Sequence, residues 1–231
     1  MIGLDNVERA LCVAAHPDDE VLFAGATLAQ LADRGAEVHV LILGEGIGAR
    51  FAGNDRPGDA VSKLGAELAA AAAILGAIPH QLDLPDNRFD SLDLLDVVHR
   101  VEQIKADVEP DLVLTHHGGD LNVDHGVTCN AVLTAFRPLP GERPVTIATG
   151  DTLSSTEWNA SPGAAFAPNW FIDATAGLER KVQAMAAYET ELREWPHPRS
   201  LDGIRVAAKR WGMTVGLDAA EPFRVLRHVS R

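Results

Sequence analysis

Four titratable side chains come directly after an apolar run near the start of the chain. The run RALCVAA ends at Ala15, and the next five positions hold His16, Asp18, Asp19 and Glu20. Charge at the end of a buried strand costs free energy unless a counter-charge or hydrogen bonds compensate it. An acidic helix N-terminus, favoured by the helix dipole, is one interpretation. A site for a divalent metal ion is the other, because imidazole and carboxylate are common ligands.

A second polar cluster follows the later apolar run DLVLTHH. Its polar side chains are His116, His117, Asp120, Asn122, Asp124 and His125. A catalytic zinc-type site takes about three protein ligands and keeps one position open for water. His16 and Asp19 could supply two ligands and His125 a third, although a lone histidine is more often structural. Asp18 would then lie beside the metal as the general base for the attacking water.

Strand-like and helix-like segments alternate along the first two thirds of the chain. Residues 9–15, 37–44, 110–117 and 145–149 are apolar and strand-like, and a further strand is expected before LPDNRFD. Helical patterns lie between them, which predicts βαβ units. The predicted fold is a Rossmann-like three-layer α/β/α sandwich with a mostly parallel sheet and an irregular C-terminal third. In such sheets ligands bind beyond the carboxyl ends of the strands, where both polar clusters fall.

Composition narrows the class of protein. The chain has 231 residues, which suits a single domain over 1–231, and its net charge of −13 disfavours nucleic acid or an anionic membrane as partner. No apolar stretch is long enough to cross a bilayer, and the N-terminus lacks a signal-peptide pattern. Two cysteines at unrelated positions fit a reducing cytoplasm, so a cytoplasmic protein is expected. The sequence does not determine the oligomeric state, and a homo-oligomer is possible.

The motifs resemble those of the LmbE-like / PIG-L family of zinc-dependent N-deacetylases. AHPDDE, GATLAQLADRGAEVHVLILGEG and NVDH carry the resemblance, and LPDNRFDS, SSTEW, PNWFID and PHPRS resemble one bacterial branch. The resemblance implies His16, Asp19 and His125 as zinc ligands and Asp18 as general base. Fe²⁺ or Mn²⁺ would also suit such a ligand set.

One position departs from the family pattern. Many members have a histidine three residues before the last ligand, and here that residue is Asn122. An amide can donate a hydrogen bond but cannot protonate the leaving amine. Either Asp18 returns the proton that it has accepted, or one of His116, His117 and His197 supplies it.

Several side chains are candidates for contacts with a sugar substrate. They are Arg56, Arg88, Asp86, Asn87, Asn122 and Trp158, with Glu45, Arg50 and Arg199 as further candidates. Arginine suits a phosphate and an indole ring suits a sugar face. Turn formation, solvated surface arginines and ordinary packing are the simpler interpretations.

The expected function is removal of the N-acetyl group from an N-acetylglucosamine-type sugar or sugar conjugate, including nucleotide- or lipid-linked ones. The expected cofactor is Zn²⁺ and the expected partner is this small acetamido-sugar substrate. The first alternative is a deacylase or amidase of another N-acylated metabolite or thiol conjugate. The second alternative is a non-catalytic carbohydrate-binding protein.

Overall fold

One seven-stranded sheet runs through the computed structural model, which describes residues 3–48, 59–161 and 165–229. The strands are β1 (Arg9–Ala14), β2 (Glu37–Gly44), β3 (Ile78–Leu84), β4 (Leu112–His116), β5 (Thr146–Gly150), β6 (Trp170–Asp173) and β7 (Ala220–Arg227). They lie in the order β3-β2-β1-β4-β5-β7-β6. Strands β1 to β5 are parallel, and β7 is antiparallel to both β5 and β6.

Helices cover both faces of the sheet. They are α1 (Asp19–Asp33), α2 (Ala60–Leu75), α3 (Leu94–Val108), α4 (Val123–Ala135), α5 (Leu178–Ala187) and α6 (Leu201–Val215). Helices α1, α2, α5 and α6 contact one another, and α3 contacts α4. Successive residues of β1 alternate between two apolar cores, with Cys12 in one and Leu11 and Val13 in the other. This confirms the predicted three-layer sandwich and explains why β1 is apolar at every position.

The last third of the chain is more regular than its sequence predicts. Strands β6 and β7 were not predicted from the sequence. Strand β7 contains Pro222 and the charged Glu221, which are unfavourable in a strand. The Glu221 carboxylate is buried but satisfied: it accepts the N–H groups of Ala26 and Thr27 and pairs with Lys181 Nζ at 2.7 Å. Partners distant in sequence therefore stabilise a strand whose local pattern is unfavourable.

Helix α5 is shorter than the helical pattern over 173–194 indicates. It begins at Leu178 and ends at Ala187. Tyr188 leaves the helix to donate a hydrogen bond to Glu20, and the turn that follows places Glu191 in a cleft beside α1. A tertiary contact thus overrides local helix propensity at this end.

Both polar clusters lie at the carboxyl edge of the parallel strands. The residues 16–18 form the turn between β1 and α1, and 117–122 form the loop between β4 and α4. Strands β1 and β4 are hydrogen-bonded neighbours, which brings the two turns together. Within the described ranges, no helix has the length and apolar character needed to span a bilayer.

Gly46 allows the loop after β2 to approach the first of these turns. Its φ is +70°, and a Cβ added there would overlap Cδ of Pro17. We expect Gly46→Ala to lower the free energy of unfolding by about 2–4 kcal/mol, since a left-handed backbone costs roughly 1–2 kcal/mol and overpacking about as much again. Urea unfolding measures this.

Gly35→Ala is the matched control. Gly35 has φ +85° but nothing within 4 Å of the added Cβ. Only the backbone cost of roughly 1–2 kcal/mol should remain. Equal losses in the two variants would show that the contact with Pro17 has no effect.

Candidate active site

Two histidines and one carboxylate gather their ligand atoms at the sheet edge. His16, Asp19 and His125 are buried, and one donor atom from each lies within 4.8 Å of the others. Asp19 Oδ2 is 3.4 Å from His16 Nδ1 and 3.2 Å from His125 Nε2. The structure therefore brings the three predicted metal ligands together, although His125 is more than 100 residues from the other two in the sequence.

The other nitrogen of each histidine faces a further carboxylate. His16 Nε2 is 3.0 Å from Asp124 Oδ2, and Asp124 also accepts the N–H of Phe89. His125 Nδ1 is 3.1 Å from Asp120 Oδ1, close but not aligned as a hydrogen bond. Carboxylates in this place typically fix the tautomer and orientation of metal-binding histidines.

A second set of possible metal ligands includes His16 as well. Asp86 and Asp124 lie with His16 Nε2 within 4.8 Å of one another. A neutral imidazole offers one lone pair, so His16 can serve only one of the two groups. The group with Asp19 is favoured because His125 adds a second imidazole.

The electrostatics of the histidines suit a cation. Burial opposes a charged ring, yet hydrogen bonds to Asp124 and Asp19 outweigh it and raise the pKa of His16 to about 10. Burial is likewise outweighed at His125, where Asp19 and Asp120 raise the pKa to about 9. The carboxylates thus hold positive charge in this position, and a divalent ion bound by these residues would supply it in place of protons.

Asp18 lies beside this group at the start of α1. Its φ of +102° is rare for a residue with a side chain, and such strain tends to occur at functional sites. Its backbone N–H donates to Glu20, and its Oδ2 accepts from Arg199 at 3.1 Å. Burial and the charge of Asp19 raise its pKa well above the ordinary value, while Arg199 opposes the rise. A buried carboxylate of this kind can accept a proton from water.

His116 is a neutral structural ring. Its Nε2 accepts the N–H of Ala15 at 2.9 Å, so Nδ1 carries the proton and faces Thr152 Oγ1 at 3.0 Å. Burial and the charge of His125 lower its pKa to about 3. The ring stacks on His125 with 3.8 Å between centroids. It orients that ligand and has no nitrogen left to act as an acid.

A polar cleft of about 280 Å³ opens onto the cluster. Three predicted substrate contacts line it: Asp86, Asn87 and Asn122. Asn122 also caps α4, since its Oδ1 accepts the N–H of Asp124 at 2.9 Å, and its Nδ2 donates to Asn87. Ser154 and Arg199 are further lining residues.

Other predicted site residues lie outside the lining of this cleft. His117 packs edge-on against Phe166, and His197 packs edge-on against the half-exposed Trp158. Arg88 is exposed. Arg50 and Arg56 fall outside the residues that the structure describes.

Some residues of the site carried no assigned role in the sequence. Asp120 and Asp124 belonged to the polar cluster, and their positions five residues and one residue before His125 could have suggested supporting carboxylates. The sequence did not indicate that Tyr188 and Glu191 belong to the site, because the segment around them has the pattern of an ordinary helix. Only the folded chain brings them to Glu20 and Arg199.

Comparison with known proteins places these features in a family. The family model for PIG-L, GlcNAc-PI de-N-acetylase, matches residues 11–136. A 1D-myo-inositol 2-acetamido-2-deoxy-alpha-D-glucopyranoside deacetylase from Mycobacterium sp. (strain KMS) is 35% identical over 167 residues, 58% of this chain. That match spans only about half of the relative's length, 53%.

Two further matches cover most of the chain. The deacetylase of the same description from Mycolicibacterium smegmatis is 31% identical over 243 residues, covering 83% of each chain. The structure of N,N'-diacetylchitobiose deacetylase from Pyrococcus horikoshii superposes with a TM-score of 0.78 at 20% identity, covering 96% of this chain and 85% of that one. The structural likeness shows a shared fold. The family model and the smegmatis relative establish that this chain belongs to the PIG-L family.

Proposed function

We propose that the protein hydrolyses the N-acetyl group of an N-acetylglucosamine-type sugar or sugar conjugate. The observation that carries the proposal is the convergence of His16, Asp19 and His125 beside Asp18 in one cleft. Family membership and the acetamido-sugar deacetylases among its relatives support the same reaction. Deacetylation of a panel of N-acetylated sugars and conjugates, followed by mass spectrometry of the products, tests it and would reveal any other amide that is cleaved.

His16, Asp19 and His125 would hold the metal ion, which we propose to be Zn²⁺. When bound, the ion supplies Lewis acidity toward the amide carbonyl and lowers the pKa of water. The two imidazoles and one carboxylate suit zinc, and Fe²⁺ and Mn²⁺ are the alternatives, since metal availability often decides between them at such sites.

Asp18 would move the proton in both directions. It accepts a proton from the attacking water, a C–O bond forms at the acetyl carbon, and the C–N bond then breaks. Asp18 returns the proton to the nitrogen, which leaves as a free amine, and the second product is acetic acid, which ionises to acetate by releasing its proton to solvent. Asn122 lines the cleft and can donate a hydrogen bond to the substrate, but its amide cannot supply this proton.

We propose Asp86, Asn87 and Asn122 as contacts for the sugar. Arg88 and Trp158 are exposed, so they could contact only the part of a substrate that extends beyond the cleft. The proposal also includes a single domain and a cytoplasmic location. Both Cys12 and Cys129 are buried free thiols, as expected for a reducing compartment.

Removal of a ligand tests the metal site. His125→Ala should weaken zinc binding by more than the ~10–100-fold that loss of a supporting partner typically causes, while Asp124→Asn should fall within that range. Equilibrium dialysis with metal analysis measures the affinity. His99→Ala, on the exposed face of α3, is the control. Unchanged zinc binding by the His125 variant would refute this ligand assignment.

Asp18→Asn removes the proposed base but keeps the size of the side chain. We expect kcat to fall by ~10²–10⁴-fold, the usual contribution of a general acid–base group, with zinc content unchanged. Acetate release under saturating substrate measures kcat. Asp90→Asn changes an exposed carboxylate near the cleft and should leave the rate at the parental value. Parental activity in the Asp18 variant would exclude its role.

Variants of the two histidines that do not line the cleft test whether Asp18 or a histidine supplies the proton to the amine. If Asp18 returns the proton, His117→Gln and His197→Gln should each keep kcat within about 3-fold of the parent, far from the ~10²-fold or greater loss of an acid catalyst. Turnover of the two single variants measures this. A loss of that larger size in either variant would assign the acid to that histidine instead.

A further inference from the structure

Arg199 is the one lysine or arginine among the described residues that line the cleft. Its Nη1 donates to Asp18 Oδ2 at 3.1 Å and to Glu191 Oε2 at 3.2 Å. One guanidinium nitrogen therefore bridges the proposed base and a carboxylate that is 2% exposed. Because the Arg199 guanidinium contacts two carboxylates, it has no excess positive charge to attract an anionic substrate group.

The backbone around Arg199 is fixed by the start of α6. Ser200 caps that helix through its Oγ, which accepts the N–H of Gly203 at 2.9 Å. The N–H of Arg199 itself donates to His197 Nδ1 at 3.1 Å. The side chain therefore extends toward the cleft from a segment held on both sides, as positioning of a catalytic group requires.

Glu191 lies beside the hydrogen-bonded pair of Thr190 and Glu67. Thr190 Oγ1 lies 3.4 Å from Glu191 Oε1 and donates to the buried Glu67 at 2.6 Å. On the other flank of Asp18, Tyr188 donates to Glu20 at 2.6 Å, and Glu20 accepts the Asp18 backbone N–H. The strained backbone and the carboxylate of Asp18 are thus each held by a separate contact.

We propose that Arg199 is a positioning residue, which holds Asp18 Oδ2 and leaves Oδ1 directed to the reacting water, with Glu191 keeping the guanidinium in place. The proposal rests on the deacetylase function proposed above. It accounts for an arginine at this point of the PHPRS motif, where a substrate contact was the expectation from sequence. Arg199 contacts Oδ2, and Asp18 lines the cleft, so Oδ1 is the oxygen that the proposal leaves to act as the base.

The test compares four variants with the zinc-loaded parent: Arg199→Lys, Arg199→Met, the double variant Arg199→Met/Glu191→Gln, and Arg205→Met. Arg205 lies on α6 and pairs with Glu179 at the surface, which makes it the matched control. Steady-state kinetics on an N-acetylglucosamine conjugate, zinc content and the unfolding midpoint are measured for each. The double variant also removes the buried Glu191 carboxylate, which in Arg199→Met alone would lose its contact with this guanidinium.

We expect Arg199→Met to lower kcat by ~10–100-fold, since small displacements of a catalytic group cost rate on this scale, and to change KM by less than about 3-fold. Arg199→Lys should recover part of the loss, because it keeps the charge but not the planar geometry. The double variant should match Arg199→Met in kcat, because Glu191 acts through Arg199. Arg205→Met should behave as the parent.

Four results would overturn the positioning role. A rise in KM with kcat unchanged would make Arg199 a substrate contact, since its buried Nε has no partner among the described residues. The role would be structural if both Arg199→Lys and the double variant lost zinc or folded protein to the same extent as they lost kcat. If the parent is active and the kcat of every Arg199 variant equals that of the parent, only the role of Arg199 is refuted. If the parent cleaves none of the acetamido sugars, the proposed function is refuted as well.

Discussion

One oxygen of Asp19 lies among nitrogen atoms from three histidines. Oδ2 accepts the backbone N–H of His16 at 2.9 Å and is 3.4, 3.2 and 3.5 Å from ring nitrogens of His16, His125 and His116. Burial disfavours its charge, but the neighbouring histidines hold its pKa well below the ordinary value. A carboxylate kept ionised in the interior needs permanent positive charge beside it. The rest of the site is arranged to provide that charge and to keep Asp19 in place.

The fold provides this arrangement through the ends of neighbouring parallel strands. Strand β1 delivers His16 and Asp19, and β4, its partner in the sheet, delivers the loop that leads to His125. His116 links the two ends, because it accepts a backbone N–H from the end of β1 and stacks on His125. The site is therefore built on rigid elements, and the carboxylates Asp120 and Asp124 limit the remaining freedom of the ligand rings.

Local pattern was sufficient for the parallel half of the molecule and for the grouping of His16, Asp19 and His125 at the sheet edge. Apolar runs of strand length followed by clustered His and Asp predict both β1 and the proposed ligands, since burial and ligand chemistry act on adjacent residues. Strand β7 was missed because Glu221 finds its partners on α1 and α5, which no local pattern shows. Arg199 and Glu191 meet Asp18 only through tertiary packing, so their place in the site follows from the fold and not from spacing.

Acid chemistry and base chemistry are assigned to one residue in this site. The amide of Asn122 cannot carry a proton and the ring of His116 is neutral, which supports Asp18, a carboxylate that lines the cleft, as the proposed proton carrier. The contacts of Arg199 and Glu20 with Asp18 are consistent with that demand, since a group that accepts and returns a proton must keep its position through both steps. Zinc titration of the metal-free protein, with bound metal and acetate release from an N-acetylglucosamine conjugate measured in the same samples, tests the central claim. The proposed site predicts no turnover without metal and a linear rise that ends at one ion per chain. Turnover by the metal-free protein at the loaded rate would contradict it.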